Sequence, residues 1–313
     1  LKHCLERSDK IEHPFERVLA FKGQLERVFD TAQTGFSYWY ETTRRYLTIN
    51  ITPLNVSAKF ALMMKESGAG FVFTSATLSV DNELTHFNAS LGLKPKQSMM
   101  VDSPFDYENQ ALLCLPRYLP ETHADNMPHA IVKLTLELIK SAKGRCFVLF
   151  TSYRMMHLVA EGLTTQMDYP VYMQGQMSKR IILEKFTRHG NAVLLGTASF
   201  WEGVDVRGST LSCVIIDKLP FAAPDDPLLQ AKMQDCQMQG KDPFAHIQLP
   251  QAVIALKQGV GRLIRDNKDK GVLVICDNRL VTRQYGQVFL KSLPPMRRTR
   301  SLEDANTFLK HIN

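Results

Sequence analysis

The sequence predicts an α/β fold in which a parallel sheet is covered by helices on both faces. From about residue 98 onward, short and almost wholly apolar runs recur (CFVLF, NAVLLG, LSCVII, GVLVIC). Helical patterns separate most of these runs, which is the signature of alternating strands and helices. The runs also lack polar alternation, as strands buried on both faces do. At 313 residues, with about 100–200 residues expected per domain, the chain has room for two domains.

The elements follow in order. Residues 14–29 carry apolar side chains at helical spacing behind Pro14, which suits a first turn. FSYWY (36–40) and RYLTINIT (45–52) alternate around a polar ETTR connection and read as two strands. Val56 to Glu66 reads as a helix stopped by Gly68, and GFVFTSATL (70–78) as a buried strand. Asn126 and Pro128 open a helix through Lys140, with Lys143 and Gly144 closing it. Then come the strand RCFVLF (145–150), a helix over 154–167, the strand PVYMQ (170–174) and a helix over 178–188 capped by Ser178. Strands NAVLLGT (191–197) and LSCVIID (211–217), a proline-rich loop, two helices, the strand GVLVICD (271–277) and terminal helices complete the pattern. On a parallel sheet the tips TSY, GTASFWEG and DNR share one edge, where such folds hold ligands.

Composition narrows the function classes. Hydrophobic residues at 44% and charged residues at 22% describe a cored globular chain and exclude disorder throughout. The net charge of +7 favours a polyanionic partner over a cationic one. No apolar run approaches the roughly 18–20 residues of a membrane span, and no signal-peptide core opens the chain. The chain begins at Leu1 in helical register without an initiator Met, so a piece of a longer protein is expected. The six cysteines (Cys4, Cys114, Cys146, Cys213, Cys236 and Cys276) are far apart and form no C-x-x-C pair. Their apolar neighbours predict buried free thiols in a reducing cytoplasm. The nine histidines show no ligand spacing, so no metal site is expected.

Four segments concentrate the chemistry. In QGVGRLIR (258–265), a helical spacing would place Gln258, Arg262 and Arg265 on one face, with Gly259 and Gly261 permitting close approach. Two guanidiniums so placed can neutralise a transferring phosphoryl group; a helix with two solvated arginines has the same spacing. The stretch 195–206 (LGTASFWEGVDV) packs hydroxyls, an aromatic pair, two carboxylates and two glycines into one loop. Its hydroxyls and backbone N–H groups can hold phosphates, while Phe200 or Trp201 can stack or fill core. Glu202 and Asp205 can bond ribose hydroxyls or a partner arginine. FTSATL (73–78) and FTSY (150–153) each put hydroxyls directly after an apolar run, as a plain strand exit also would. The basic tip PPMRRTR (294–300) reads as the end of a helix leading into the last one: a solvated turn, a phosphate contact or a protein-binding tip.

TSATL, FTSY, GTASFWEGVDV and QGVGRLIR stand in the order of helicase motifs III, IV, V and VI. In that series, and in VIIDKLPFAAPDDPLL, the chain resembles the XPD/DinG-like DNA helicases of superfamily 2, most of all their bacterial YoaA branch. The resemblance runs from about residue 36 to the end. It implies a RecA-like second motor domain at 98–313, the last part of a first motor domain at 36–97, and a helical arch remnant at 1–35. It further implies ATP between two motor domains, with 5′-to-3′ movement on single-stranded DNA.

On that resemblance Arg262 and Arg265 are the catalytic arginines, supported by Gln258 and Gly261. Glu202, Gly203 and Asp205 link the state of ATP to the grip on DNA. Ser75 and Thr77 couple the first domain to the cleft. Thr151, Ser152, Thr197 and Ser199 contact phosphates, and Gln174 and Arg180 touch DNA. The family's phosphate loop (G-x-x-x-x-G-K-[ST]), its D-E-x-H pair for Mg2+ and the four cysteines of its 4Fe–4S cluster precede motif III, and none occurs in this sequence. The chain alone is therefore expected to hydrolyse no ATP. The chi subunit of DNA polymerase III is the protein partner that the resemblance implies. A rival expectation is a module that binds single strands or a replisome protein without turnover; a nucleotide-binding protein of other chemistry, such as a kinase, is weakened by the missing Walker lysine.

Overall fold

The computed structural model describes residues 12–31, 34–95, 97–201 and 210–312. These residues fall into two compact units. The first holds the described residues up to 69 together with 90–93 and 223–247, and the second holds 70–89, 94–222 and 248–312.

In chain order, α1 (Glu12–Phe29) precedes β1 (Phe36–Thr42), β2 (Leu47–Pro53), α2 (Ser57–Glu66) and α3 (Thr85–Leu91). Strands β1 and β2 form an antiparallel hairpin, with Phe36 opposite Pro53 and Thr42 opposite Leu47. The Thr43 hydroxyl accepts from the Tyr46 N–H at 3.0 Å and fixes the connection that the sequence marks as polar. Tyr38 and Tyr40 share a face with Ile51 and Ile49, and the opposite face carries Ser37, whose hydroxyl donates to the Pro227 carbonyl.

The apolar stretch 70–73 departs from expectation. It is no strand and it is exposed, with Val72 88% accessible. A β-strand requires hydrogen-bonding neighbours, and among the described residues none pairs with it.

The second unit is built on a seven-stranded sheet. Its elements are α4 (Tyr107–Gln110), β3 (Ala111–Cys114), α5 (Met127–Ala142), β4 (Cys146–Leu149), α6 (Tyr153–Thr164), β5 (Val171–Met173), α7 (Lys179–His189), β6 (Val193–Gly196), α8 (Ala198–Trp201) and β7 (Cys213–Ile216). After α9 (Pro227–Met238), which belongs to the first unit, come α10 (Leu249–Val260), β8 (Gly271–Ile275), α11 (Arg279–Thr282), α12 (Gly286–Ser292), β9 (Arg297–Thr299) and α13 (Leu302–Ile312). The strand order is β5-β6-β4-β7-β8-β3-β9, and every pairing within it is parallel.

Alternation within these buried strands sends side chains to two covered faces. Cys146, Val148, Val193, Leu195, Cys213, Ile215, Val272 and Val274 join one core with α5, α6 and α13. On the other face Phe147 meets Phe200 of α8 edge-on, at 6.4 Å between ring centres. Phe200 is therefore core. A Cβ at Gly196 would lie 2.7 Å from the Cβ of Phe200, so only glycine admits that packing. The α5 terminus matches its sequence signals: Lys143 caps it at φ +51, and Gly144 follows at φ +84. Ser178 stands at the N-cap of α7 but makes no side-chain cap bond there.

Strands β3 and β9 were not expected. The basic tip 297–299 is an edge strand paired with β3, rather than the end of a helix or a turn. Arginines on an edge strand oppose further strand pairing. Arg298 and, just past the strand, Arg300 also hold local structure: the Arg298 guanidinium donates to the Leu290 carbonyl at 3.1 Å, and Arg300 to that of Leu115 at 3.2 Å. Five described cysteines (Cys114, Cys146, Cys213, Cys236 and Cys276) are buried free thiols, as expected. Among the described residues no helix is long and apolar enough to cross a membrane.

Candidate functional site

The first group of functional candidates surrounds the end of α10. The helix stops at Gly261, one residue before the first arginine, so the predicted single helical face is incorrect. Gly261 donates to the Lys257 carbonyl at 2.9 Å and Arg262 to the Gly259 carbonyl at 3.2 Å, which tightens the chain into a turn. The turn sends Leu263 and Ile264 into the core. Arg262 and Arg265 instead line a cleft of about 420 Å³ together with Gln258, Gly261, Ala76 and Thr77. The predicted residues are thus gathered by a turn rather than by helical periodicity.

Buried Asp269 sets that turn. Its carboxylate accepts from the backbone N–H groups of Arg265 and Asp266, each at 2.9 Å. Gln110 in turn donates to the Asp269 and Asp266 carbonyls at 2.8 and 3.1 Å. Lys257, which the sequence analysis passed over, donates to the Ser79 carbonyl at 2.8 Å and to its hydroxyl at 3.0 Å. Burial lowers the pKa of this lysine. These bonds attach the segment after Thr77 to α10. Ser75 and Thr77 face each other at 3.2 Å between hydroxyls; Thr77 reaches the cleft, and Ser75 is exposed.

The second group lies along the carboxyl edge of the sheet, where parallel pairing brings the tips of β5, β6, β4, β7 and β8 to one side. Several predicted phosphate donors are already committed there. Thr151 gives its N–H (3.0 Å) and its hydroxyl (3.2 Å) to Asp217. Gln174 accepts from the Thr197 N–H (2.7 Å) and hydroxyl (3.1 Å), and its amide nitrogen donates to the Tyr153 hydroxyl. The Ser152 hydroxyl caps α6 by accepting from the Met155 N–H. Ser199 is exposed, and its carbonyl accepts from Lys179. Arg180 is also exposed and pairs with Glu184 at 2.7 Å.

Asp217 was missed because a single Asp after an apolar run has no distinctive pattern. It is buried at the tip of β7, and desolvation pushes its pKa up to about 7 against the opposing pull of its Lys218 and Thr151 donors. Asp277, buried at the tip of β8, accepts from the Leu219 N–H and forms an ion pair with Arg279 at 2.7 Å. The DNR tip is therefore internally bonded. Glu202, Gly203 and Asp205 lie outside the described residues. Among the described residues, no three His, Cys, Asp or Glu side chains gather as a metal site.

Residues 135–296 match the helicase C-terminal domain family. The chain belongs to that family. It is 52% identical over 308 residues to the ATP-dependent DNA helicase YoaA of Escherichia coli (strain K12), covering 98% of this chain and 48% of that protein. It is 50% identical to the YoaA of Haemophilus influenzae, over 99% of this chain and 49% of that protein. The ATP-dependent helicase DinG of Mycobacterium tuberculosis (strain H37Rv) is 34% identical over 87% of this chain and 41% of its own length. The chain therefore spans about half the length of the YoaA relatives it matches. Among solved structures, an XPD helicase aligns with a TM-score of 0.61 at 19% identity, over 88% of this chain and 50% of that one. An apo XPD aligns with a TM-score of 0.63 at 19% identity, over 93% and 60%. These two share the fold with this helicase C-terminal domain, whose RecA-like sheet carries the edge and the cleft described above.

Proposed function

We propose that the chain forms the C-terminal half of an ATP-dependent DNA helicase of the XPD/DinG type. The whole protein would couple ATP hydrolysis to 5′-to-3′ movement on single-stranded DNA and to duplex unwinding, in DNA repair and replication. Residues 1–35 then end a helical arch, 36–97 complete a first motor domain, and 98–313 form the second. The observation that carries this reading is the cleft in which Arg262 and Arg265 meet Gln258, Gly261 and Thr77.

Two guanidiniums converging on one cleft stabilise the charge that develops as a phosphoryl group departs. Asp269 orients Arg265 by holding its backbone N–H. Lys257 gives the cleft a mechanical link to residues 77–79, through which Ser75 and Thr77 sense its closure. Glu202, Gly203 and Asp205 would belong to the loop that passes the ATP state to the DNA grip. On the sheet edge, Ser152, Ser199 and Arg180 would meet phosphates. Thr151, Thr197 and Gln174 would act by holding that edge in shape.

The described residues do not themselves fit Mg2+ or an iron–sulfur cluster. The cleft is lined by Lys257, Arg262 and Arg265 without a carboxylate, and the described cysteines are buried in the core. Both groups would be held by polypeptide other than this chain. A cytoplasmic location and the chi subunit of DNA polymerase III as a partner complete the proposal.

The test is ATP hydrolysis by the intact protein and by this chain alone, each with and without single-stranded DNA. Stimulated turnover in the intact protein with none from the chain alone is the expected result. Turnover by the chain alone, or silence of a folded intact protein, overturns it. Strand binding without turnover in both would favour the binding-module reading.

A further inference from the structure

We propose that Tyr153 is a nucleobase-stacking platform at the entrance of the single-strand path, and that Gln174 is the residue positioning it. This deepens the single-strand reading above and rests on it. Tyr153 opens α6 directly after the tip of β4, and its side chain is 55% exposed although it lies within a polar edge. An exposed aromatic ring adapts to many orientations unless something fixes it, and here Gln174 does. The Gln174 amide nitrogen donates to the Tyr153 hydroxyl, while its carbonyl holds both the N–H and the hydroxyl of Thr197. The Gln174 backbone N–H is itself anchored on the Leu195 carbonyl at 2.9 Å. One side chain thus joins the tips of β5 and β6 to the first turn of α6.

The consequence is a ring held at its hydroxyl end, close in sequence and structure to Ser152 and linked through Gln174 to the turn carrying Ser199. A phosphate-binding edge with a fixed aromatic beside it is the combination that grips single strands without reading sequence, since every base offers a π-face. It also explains why Gln174, with its carbonyl and amide nitrogen both engaged internally, is placed to position rather than to contact.

The experiment compares Tyr153→Ala, Tyr153→Phe and Gln174→Ala with the unaltered intact protein. Two probes of equal length are titrated: an oligothymidylate and a strand in which the bases are replaced by abasic residues. Tyr153→Ala is expected to weaken oligothymidylate binding by about 5- to 100-fold and to change abasic-strand binding by less than about twofold. Tyr153→Phe keeps the ring and should fall between Tyr153→Ala and the unaltered protein, and Gln174→Ala should weaken the base-bearing strand more than the abasic one while lowering the melting temperature, because it leaves the Thr197 N–H without its acceptor. Equal losses on both probes, or no loss on either, overturn the stacking role and leave the single-strand reading intact. Identical affinity of the unaltered protein for both probes also overturns it. If the unaltered protein binds neither strand, the single-strand reading fails and the inference falls with it.

Discussion

The seven-stranded sheet and helices α1 and α2 of the first unit teach opposite lessons about apolar sequence. In the sheet, strands β3, β4, β6, β7 and β8 are buried along their whole length, because each has a hydrogen-bonded strand on both sides and a covered face above and below. Helices α1 and α2 carry apolar residues at helical spacing, yet neither contains a buried residue. Phe29 of α1 is 82% accessible, and Val72, in the second unit, is equally uncovered. An amphipathic pattern specifies which face an element can bury; burial follows only where another element supplies the cover. Buried apolar contacts are therefore concentrated around the sheet.

The largest test of this contrast concerns function. Arg262→Ala in the intact protein should lower ATP turnover by about 10³- to 10⁵-fold, the usual worth of such an arginine, while the melting curve stays in place. Retained turnover would separate the cleft from the chemistry. Stability provides the next test. Gly144 has φ +84, and a Cβ there would lie 2.0 Å from the Asn191 carbonyl oxygen. Gly144→Ala should cost about 2–4 kcal/mol in denaturant unfolding, combining left-handed strain with overpacking. Gly68 has φ +64 but nothing within 4 Å of the added carbon, so Gly68→Ala should cost only about 1–2 kcal/mol. Side-chain truncation sharpens the same comparison. Leu138→Ala, deep in the sheet's core, should cost about 2–5 kcal/mol, against less than about 0.5 kcal/mol for exposed Leu25→Ala on α1. Equal losses would mean that α1 is covered after all.

Much of this architecture was legible from the sequence. The strand runs CFVL, VLLG, CVII and GVLVI are too apolar for anything but two-sided burial. The closing signals Lys143 and Gly144 marked the stop of α5, which runs to Ala142, two residues past the expected Lys140. What was hidden depended on neighbours distant in sequence. Residues 297–299 become a strand only by pairing with residues 111–114, which pair on their other side with β8. GFVF looked like a strand by composition and, among the described residues, has no strand partner that would make it one. For the site, QGVGRLIR pointed to side chains that do line one cleft, but by an incorrect geometry, since Gly261 ends the helix before the arginines. Lys257 and Asp217 had no sequence pattern of their own, and Tyr153 was marked only as the last residue of FTSY; their hydrogen bonds across 178, 66 and 21 positions give them roles.

The effect most specific to the sheet edge is a pH dependence. Burial holds the folded-state pKa of Asp217 near 7, well above the ordinary 3.8. Between about pH 4 and pH 7, therefore, the folded carboxyl retains a proton that the unfolded chain has released. The unfolded state binds fewer protons in that window, so this group's contribution to stability declines as pH rises, and its full penalty applies above pH 7. Asp217→Asn should flatten that part of the pH dependence, measured by denaturant unfolding at several pH values. The variant also loses an acceptor oxygen while the Thr151 N–H, the Thr151 hydroxyl and the Lys218 N–H all still seek one. It should therefore be less stable than the parent near pH 4, where parent and variant are both neutral at this position, and the difference should shrink toward pH 7. A constant difference across the window would mean that Asp217 stays ionised in the fold, with its backbone donors outweighing its burial.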